Sequence, residues 1–380
     1  MLFQVPTQTP EEIDVLGRID EVHRAVAYSV AQPRRWVGLL RRNSFARAIR
    51  GSNSIEGYNV TVEDALAAAE GEQPFDADAQ TWAAINGYRN AMTYVLQLAD
   101  DPHFFYEEGL VRGLHFMMMQ YDLEKHPGRW RPGPIFVRND DKGEIVYEGP
   151  DAELVSNLMA EFVEWLNHGD IQLPVMVRAA MAHLNLVMIH PFSDGNGRMA
   201  RCLQTLVLAR QQILHPHFCS IEEYLGNSTS DYYGVLADVG RGAWHPERDA
   251  RPWIRFSLKA HFLQAAKLQQ RVREISRLWE ELEREVKSRG LPERTIMALL
   301  DAALGLRVRN STYRSAAEVS DDVATRDLKL LVDQGLLVAK GERRGRTYER
   351  SAFLLEARRR FKEQRTLDDP FTTQGQQRLI

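Results

Sequence analysis

The segment IHPFSDGNGRMARCL, residues 189–203, constrains the fold more than any other part of the chain. Apolar runs at helical spacing flank it, LPVMVRAAMAHLNLVMI before and MARCLQTLVLARQQIL after. One helix must therefore end and another begin within HPFSDGNG. Pro191 disfavours a helical backbone at His190 and sets the end of the first helix there. Gly195 and Gly197 permit positive dihedrals and a close backbone approach, as an anion-binding nest requires. The second helix starts near Arg198. Its unbonded amides and the positive end of its dipole face back to the loop, which is therefore expected to bind an anion.

The side chains refine that expectation. Arg198 adds a cation in the first turn, and Arg201, three residues on, shares its helical face. Two arginines above a helix N-terminus suit a polyphosphate better than one carboxylate. Asp194 would repel such a ligand unless a cation lay between them, and one carboxylate with substrate phosphates is a usual Mg²⁺ arrangement. The Asn196 amide is expected to donate to a phosphate oxygen, and Phe192 to anchor the loop in the core. His190 lies at the mouth of the site, where its ordinary pKa suits a general base worth roughly 10²–10⁴ in rate.

The rest of the chain reads as mainly α. Amphipathic stretches cover PEEIDVLGRIDEVHRAVAYSV, residues 36–55, a short Ala-rich helix in TVEDALAAAEGE, and the segments before and after residue 100. Residues 134–149 change texture: PIFVRN and EIVYEG flank Asp-Asp-Lys-Gly, the pattern of a β-hairpin. Leu268, Val272, Ile275, Trp279, Leu282 and Val286 form an a/d seam on a long connecting helix that stops at SRGLP. Three short helices and a basic-tipped hairpin follow, the plan of a small winged helix-turn-helix domain. The expected divisions are an N-terminal helical region 1–100, a core 101–260, a connecting helix 261–290, the winged helix 291–355 and a loose polar tail 356–380.

The formal net charge of -4 gives no whole-chain reason to expect nucleic acid. Thr325, Arg326, Lys329, Arg343, Arg344 and Arg346 offer the winged helix a DNA-phosphate surface, which Asp321, Asp322, Asp327 and Asp333 oppose. DNA, a docking protein and a second copy of the chain (a homodimer) stand as alternative partners there. Cys202 and Cys219 lack metal-ligand spacing, and a reducing cytoplasm is the expected setting. The N-terminus reads as no signal peptide, and no apolar run reaches membrane-spanning length, so no membrane partner is expected.

HPFSDGNGRMAR resembles the signature of the Fic family, His-x-Phe-x-(Asp/Glu)-Gly-Asn-Gly-Arg-x-x-Arg, at every specified position. The resemblance extends from about Ser52 to Leu258, through AHLNLVMIHPF, DYYGVL and WIRFSL. It implies a helical core with a β-hairpin flap, and a nucleotidyltransferase that moves AMP from ATP to a Ser, Thr or Tyr hydroxyl of a protein. By that resemblance His190 is the base and Asp194 holds Mg²⁺ between the α- and β-phosphates. Gly195, Asn196 and Gly197 cradle phosphates, and Arg198 and Arg201 hold the β/γ end. The 134–149 hairpin is then the flap on which the target protein docks. Tyr232 and Tyr233 fall on the adenine side, with core packing as the alternative for one ring. His115 and His183, inside apolar helices, are expected to be structural.

A second motif acquires sense beside the first. In RGSNSIEGYNV, Ser52 and Glu56 share one helical face and Gly57 is the natural stop. Glu56 in a last turn is disfavoured by the helix dipole, so a tertiary cation is one expectation for it and chance placement at the surface the alternative. The segment resembles the family's inhibitory motif, (Ser/Thr)-x-x-x-Glu-(Gly/Asn), through Ser52, Glu56 and Gly57. That resemblance implies that Glu56 takes Arg201 away from ATP. Two rival readings remain at this stage: a same-fold transferase with another nucleotide or phosphate donor, and a DNA-binding regulator with a secondary catalytic role.

Overall fold

The computed structural model describes residues 1–31, 34–138, 144–169, 171–212, 215–342, 345–363 and 367–372. The chain divides into two compact units. The first comprises Met1–Tyr28, Arg41–Ala266 and Leu367–Ile380, the second Ser29–Leu40 and Lys267–Thr366.

The first unit is built around α7 (Val175–Ile189), which is buried on nearly every face. A helix apolar all round must sit inside a bundle. α8 (Asn196–Ala209) packs along it, and α4 (Ala79–Leu98), α5 (Glu108–Met119) and α6 (Ala152–His168) complete the surroundings. Local chemistry sets the helix ends. Asp78 accepts from the amides of Gln80 and Thr81 at the start of α4. Thr61 caps α3 (Val62–Glu70), which ends at Gly71 with φ +73°. α1 (Pro10–Ala31) and α2 (Arg35–Ile55) precede these; α9 (Glu222–Asn227) and α10 (Thr229–Gly240) follow α8.

The hairpin strands are β1 (Phe136–Arg138) and β2 (Ile145–Glu148), antiparallel with Val137 opposite Tyr147. The turn residues Asp140–Gly143 lie outside the described residues. A third strand that the sequence does not announce, β3 (Gly242–Ala243), pairs parallel with β2. Tyr147 fastens β2 to the end of α7 by donating to the Met188 carbonyl at 2.7 Å.

Two expected boundaries shift. α11 is one helix over Arg251–Ser288, ten residues longer at its start than the expected connector. Asp249 accepts from the Arg251 amide, and Trp253, fully buried, donates to the Ala180 carbonyl, so this first part belongs to the core. At the other end the winged-helix candidate does not stop at 355: Ser351 caps α15 (Ala352–Phe361), whose Leu354 and Ala357 are buried. The tail is not loose where described. Asp369 pairs with Lys259 at 2.8 Å, and Phe371 lies under the Arg255 guanidinium.

In the second unit Leu268, Val272, Ile275, Leu282 and Val286 are buried as the seam requires, while Leu278 is buried in place of Trp279. Helices α12 (Ile296–Ala303), α13 (Asn310–Ala317) and α14 (Asp321–Asp333) precede the antiparallel pair β4 (Leu337–Lys340) and β5 (Thr347–Arg350). Asp327 is not a surface acid opposing DNA. It is buried and accepts from Arg294 Nε at 2.7 Å, from Arg294 Nη2 at 3.0 Å and from the Tyr313 hydroxyl. Arg343 and Arg344 lie outside the described residues.

Candidate active site

α7 ends at Ile189, and His190 takes a left-handed conformation, φ +52°, which Pro191 helps to enforce by excluding a right-handed continuation. The His190 imidazole is half-buried. Its Nδ1 lies 2.9 Å from the Val187 carbonyl, so Nδ1 carries the proton and Nε2 is left as the basic nitrogen. Burial lowers the imidazole pKa below its ordinary value; Arg131 adds to that, while the Val187 bond, Glu56 and Asp194 oppose it. A neutral imidazole with one free nitrogen is the form a general base needs.

The loop after His190 is held from inside. Phe192 is fully buried and stacks on His115 with ring centroids 3.6 Å apart. His115 accepts the Gly128 amide at Nδ1, so its Nε2 donates to the Asp194 carbonyl at 2.9 Å. Burial depresses its pKa to about 4, which keeps it neutral and structural. Gly195 has φ +76°, and a Cβ there would lie 3.0 Å from the Met119 sulfur. The conformation therefore favours glycine, and the space beside Met119 is tight.

Asn196 corrects the sequence reading. Its side chain does not reach for a phosphate: Oδ1 accepts from the Phe192 amide at 2.9 Å and Nδ2 donates to the Phe192 carbonyl at 2.8 Å. Both ends of the amide are spent bracing the loop, and the residue is buried. The backbone at the start of α8, where the first amides of a helix have no intrahelical acceptor, remains the group suited to an anion.

Asp194 is partly exposed, and its Oδ1 accepts from the Gly195 amide at 2.6 Å. Among the described residues no group of three or more His, Cys, Asp or Glu is placed to hold a metal ion. The donor set therefore fits Mg²⁺ only as one carboxylate supplemented by phosphate oxygens of a bound ligand.

Both arginines are buried. Arg201 donates from Nε to the Ser52 hydroxyl at 2.8 Å and from Nη2 to the Ser52 carbonyl at 3.0 Å and to Glu56 Oε1 at 2.6 Å. The Arg201 side chain is 0% exposed and that of Glu56 21%, so water screens the pair little. Burial alone would raise the Glu56 carboxyl pKa, but Arg201, then Arg198, overcome it and hold it below the ordinary range. Gly57, φ +85°, ends the segment as expected. Gly197 makes room for the pair: a Cβ there would lie 2.6 Å from Glu56 Oε1 and 3.1 Å from Arg201 Nη1.

Sequence reasoning missed three contributors. Tyr58, next after Gly57, lies under the Arg198 guanidinium at 5.4 Å. Tyr121 accepts from Arg198 Nη1 at 3.1 Å and donates to the Tyr58 hydroxyl at 3.2 Å. Arg131 binds the His190 and Pro191 carbonyls. The basic start of the hairpin was the only signal for Arg131, and none existed for the two tyrosines.

Of the two tyrosines, Tyr232 is the ring that packs in the core: it is buried, donates to His183 Nε2 at 3.0 Å and packs against Trp253 and beneath Arg201. Tyr233 is partly exposed, with its hydroxyl 3.3 Å from the Ile55 carbonyl. His183 donates from Nδ1 to Gln204 at 2.6 Å, and burial lowers its pKa to about 3.

Comparison with known proteins places this geometry. A model of the Fic/DOC family matches residues 105–208. Protein adenylyltransferase fic-1 of Caenorhabditis briggsae is 35% identical over 108 residues, 28% of this chain and 19% of that protein. Protein adenylyltransferase Fic of Nematostella vectensis is 27% identical over 218 residues, 57% of this chain and 46% of that protein. The chain thus spans less than half the length of these curated relatives. A crystal structure of a Fic family protein from Desulfovibrio desulfuricans G20 superposes over 92% of this chain and 98% of that one, with TM-score 0.58 and 22% identity, a likeness of fold.

Proposed function

We propose that this chain, whose residues 105–208 form a Fic/DOC-family domain, is a protein adenylyltransferase: it transfers AMP from ATP to a hydroxyl of a Ser, Thr or Tyr side chain, on a target and on itself. The observation that carries the reading is the convergence at the start of α8. A half-buried neutral histidine, a carboxylate, free helix amides and two buried arginines meet within twelve residues. That set suits a polyphosphate held beside a base.

The α8 amides and Gly195–Gly197 receive the phosphates, and Arg198 and Arg201 receive the β/γ end. Asp194 would hold Mg²⁺ together with phosphate oxygens of the ligand, and the ion would supply charge neutralisation for the leaving group. His190 Nε2 takes the proton from the target hydroxyl as its oxygen attacks the α-phosphorus. The bond from the α-phosphorus to the bridging oxygen breaks, and pyrophosphate leaves. The exposed edge beside β1 offers an extended target segment a strand to pair with, which would bring its hydroxyl to His190.

In the state described here Arg201 is occupied. Glu56 sits where the γ-phosphate would be clamped, so the resting chain is autoinhibited in cis. Incubation with labelled ATP tests the whole reading. Glu56→Gly is expected to label itself strongly, wild type weakly and His190→Ala not at all. Labelling of Glu56→Gly from UTP in preference to ATP would replace the donor. Undiminished labelling of His190→Ala would remove the mechanism.

A further inference from the structure

We propose that Arg131 is a positioning residue that couples the target-docking hairpin to the base, so that strand placement and His190 placement are set by one guanidinium. The inference rests on the adenylyltransferase reading above for its kinetic part. Its structural part stands on contacts.

Arg131 lies just before the hairpin and is 4% exposed. Its backbone amide donates to the Pro191 carbonyl at 2.9 Å, and its Nε to the His190 carbonyl at 2.9 Å. Nη1 donates to the Gly133 carbonyl at 2.6 Å, ahead of β1, and Nη2 to the Pro150 carbonyl, behind β2. One side chain thus binds both ends of the hairpin and the residue that carries the base. Every one of these acceptors is a backbone carbonyl. A planar fork with donors on three nitrogens can span three chain segments; an ammonium, a compact point charge on a flexible stem, cannot.

The hairpin end is shaped around this clasp. Gly149 donates its amide to the Ile135 carbonyl at 3.1 Å, closing the hairpin base. A Cβ on Gly149 would lie 2.6 Å from Ile135 Cγ2, 3.3 Å from Arg131 Nη2 and 3.7 Å from His190 Cβ. The hairpin base, the guanidinium and the histidine therefore pack in direct succession, and a side chain at 149 would have to push Ile135 aside. His190 also needs the support: a non-glycine residue at φ +52° keeps that conformation only where its surroundings fix it. Arg131 holds its carbonyl on one side while Val187 orients its ring on the other.

Arg131→Lys and Arg131→Met, each in a Glu56→Gly chain, test the coupling. The expected result is a fall of tenfold or more in kcat, on the order of what a misplaced reacting group costs. The readout is self-labelling with ATP, for which KM should stay within about twofold. Lysine is expected to rescue little. A purely structural role would lower the melting temperature and weaken ATP binding in step with kcat, and that pattern would overturn the proposal, as would a kcat equal to the parent. Hydrogen exchange on the same variants needs no turnover. Peptides covering 144–150 and 186–194 are expected to lose protection together while 198–209 keeps it; loss in only one of the first two would equally overturn it. Absence of labelling in the Glu56→Gly parent would count against the adenylyltransferase reading alone and leave the exchange result to decide the coupling.

Discussion

Replacing Glu56 by glycine should convert this chain from a resting to an active state by a predictable factor. Arg201 is fully buried, and Glu56 meets its Nη2 at 2.6 Å, a charge-assisted hydrogen bond in a site that water barely reaches. Such a bond contributes about 1.5–3 kcal/mol net. On the adenylyltransferase reading an incoming γ-phosphate displaces it, so its removal should strengthen ATP binding by about 10- to 150-fold, taking about 1.4 kcal/mol per factor of ten. Ser52 still holds Arg201 through Nε and Nη2, so the guanidinium stays in place when the carboxylate goes. Calorimetry in a His190→Ala chain, which cannot turn over, isolates the binding step. ATP affinity should rise by that factor on addition of Glu56→Gly, whereas AMP, which lacks the β/γ end, should be unaffected. Glu56→Gln, which keeps a hydrogen bond without the charge, should fall between. Equal ATP affinity with and without Glu56, or an equal gain for AMP, would refute the reasoning. Because Arg201 and Arg198 depress the Glu56 pKa, the contact is fully present above the ordinary carboxyl range and is lost only as pH falls below it. Inhibition should therefore be flat across neutral pH, which initial labelling rates would show.

Other consequences are equally concrete. Asn196→Ala should lower the melting temperature by an amount matching about 1–3 kcal/mol, since it strands the Phe192 amide and carbonyl; a pure loss of ATP affinity with unchanged melting would restore a phosphate-binding role for the side chain. Tyr58→Ala should strengthen ATP binding by about two- to fivefold, the equivalent of a cation–π contact of about 0.5–1 kcal/mol, without loss of fold; unchanged or weaker binding would show that Tyr58 does not compete at Arg198. Burial depresses His23 to about 4 and His183 and His261 to about 3. The unfolded chain therefore binds their protons first, and stability should fall as pH drops from about 6.5 toward 3–4, by about 1.4 kcal/mol per pH unit for each histidine. Urea melts at pH 7 and pH 5 check this, and coincident midpoints would contradict it.

What was legible in the sequence was legible for local reasons. Helix ends follow from Pro191 and Gly57 because capping and dihedral restrictions act over a few residues. Arg198 and Arg201 fall on one face because helical spacing puts them there. The same locality explains the misses. Asn196 looked like a ligand because its amide is polar and in the right loop, but only the folded loop shows both its ends already satisfied. Tyr232 and Tyr233 are neighbours in sequence, and nothing short of packing against Trp253 and His183 separates the buried ring from the exposed one. β3 is two residues long and carries no pattern of its own; its pairing with β2 exists only once α10 has brought it there.

The chain by itself determined the helix–loop–helix, the unbonded amides that open α8 and the poor local placement of Glu56 at a helix end, since each follows from spacing and backbone chemistry within one stretch. Tertiary structure alone decided the partnerships. Glu56 and Arg201 are 145 residues apart, and Arg131 and His190 are 59 apart. Hydrogen bonds of under 3 Å between such positions depend on how helices and a hairpin pack, and no periodicity in the sequence records that.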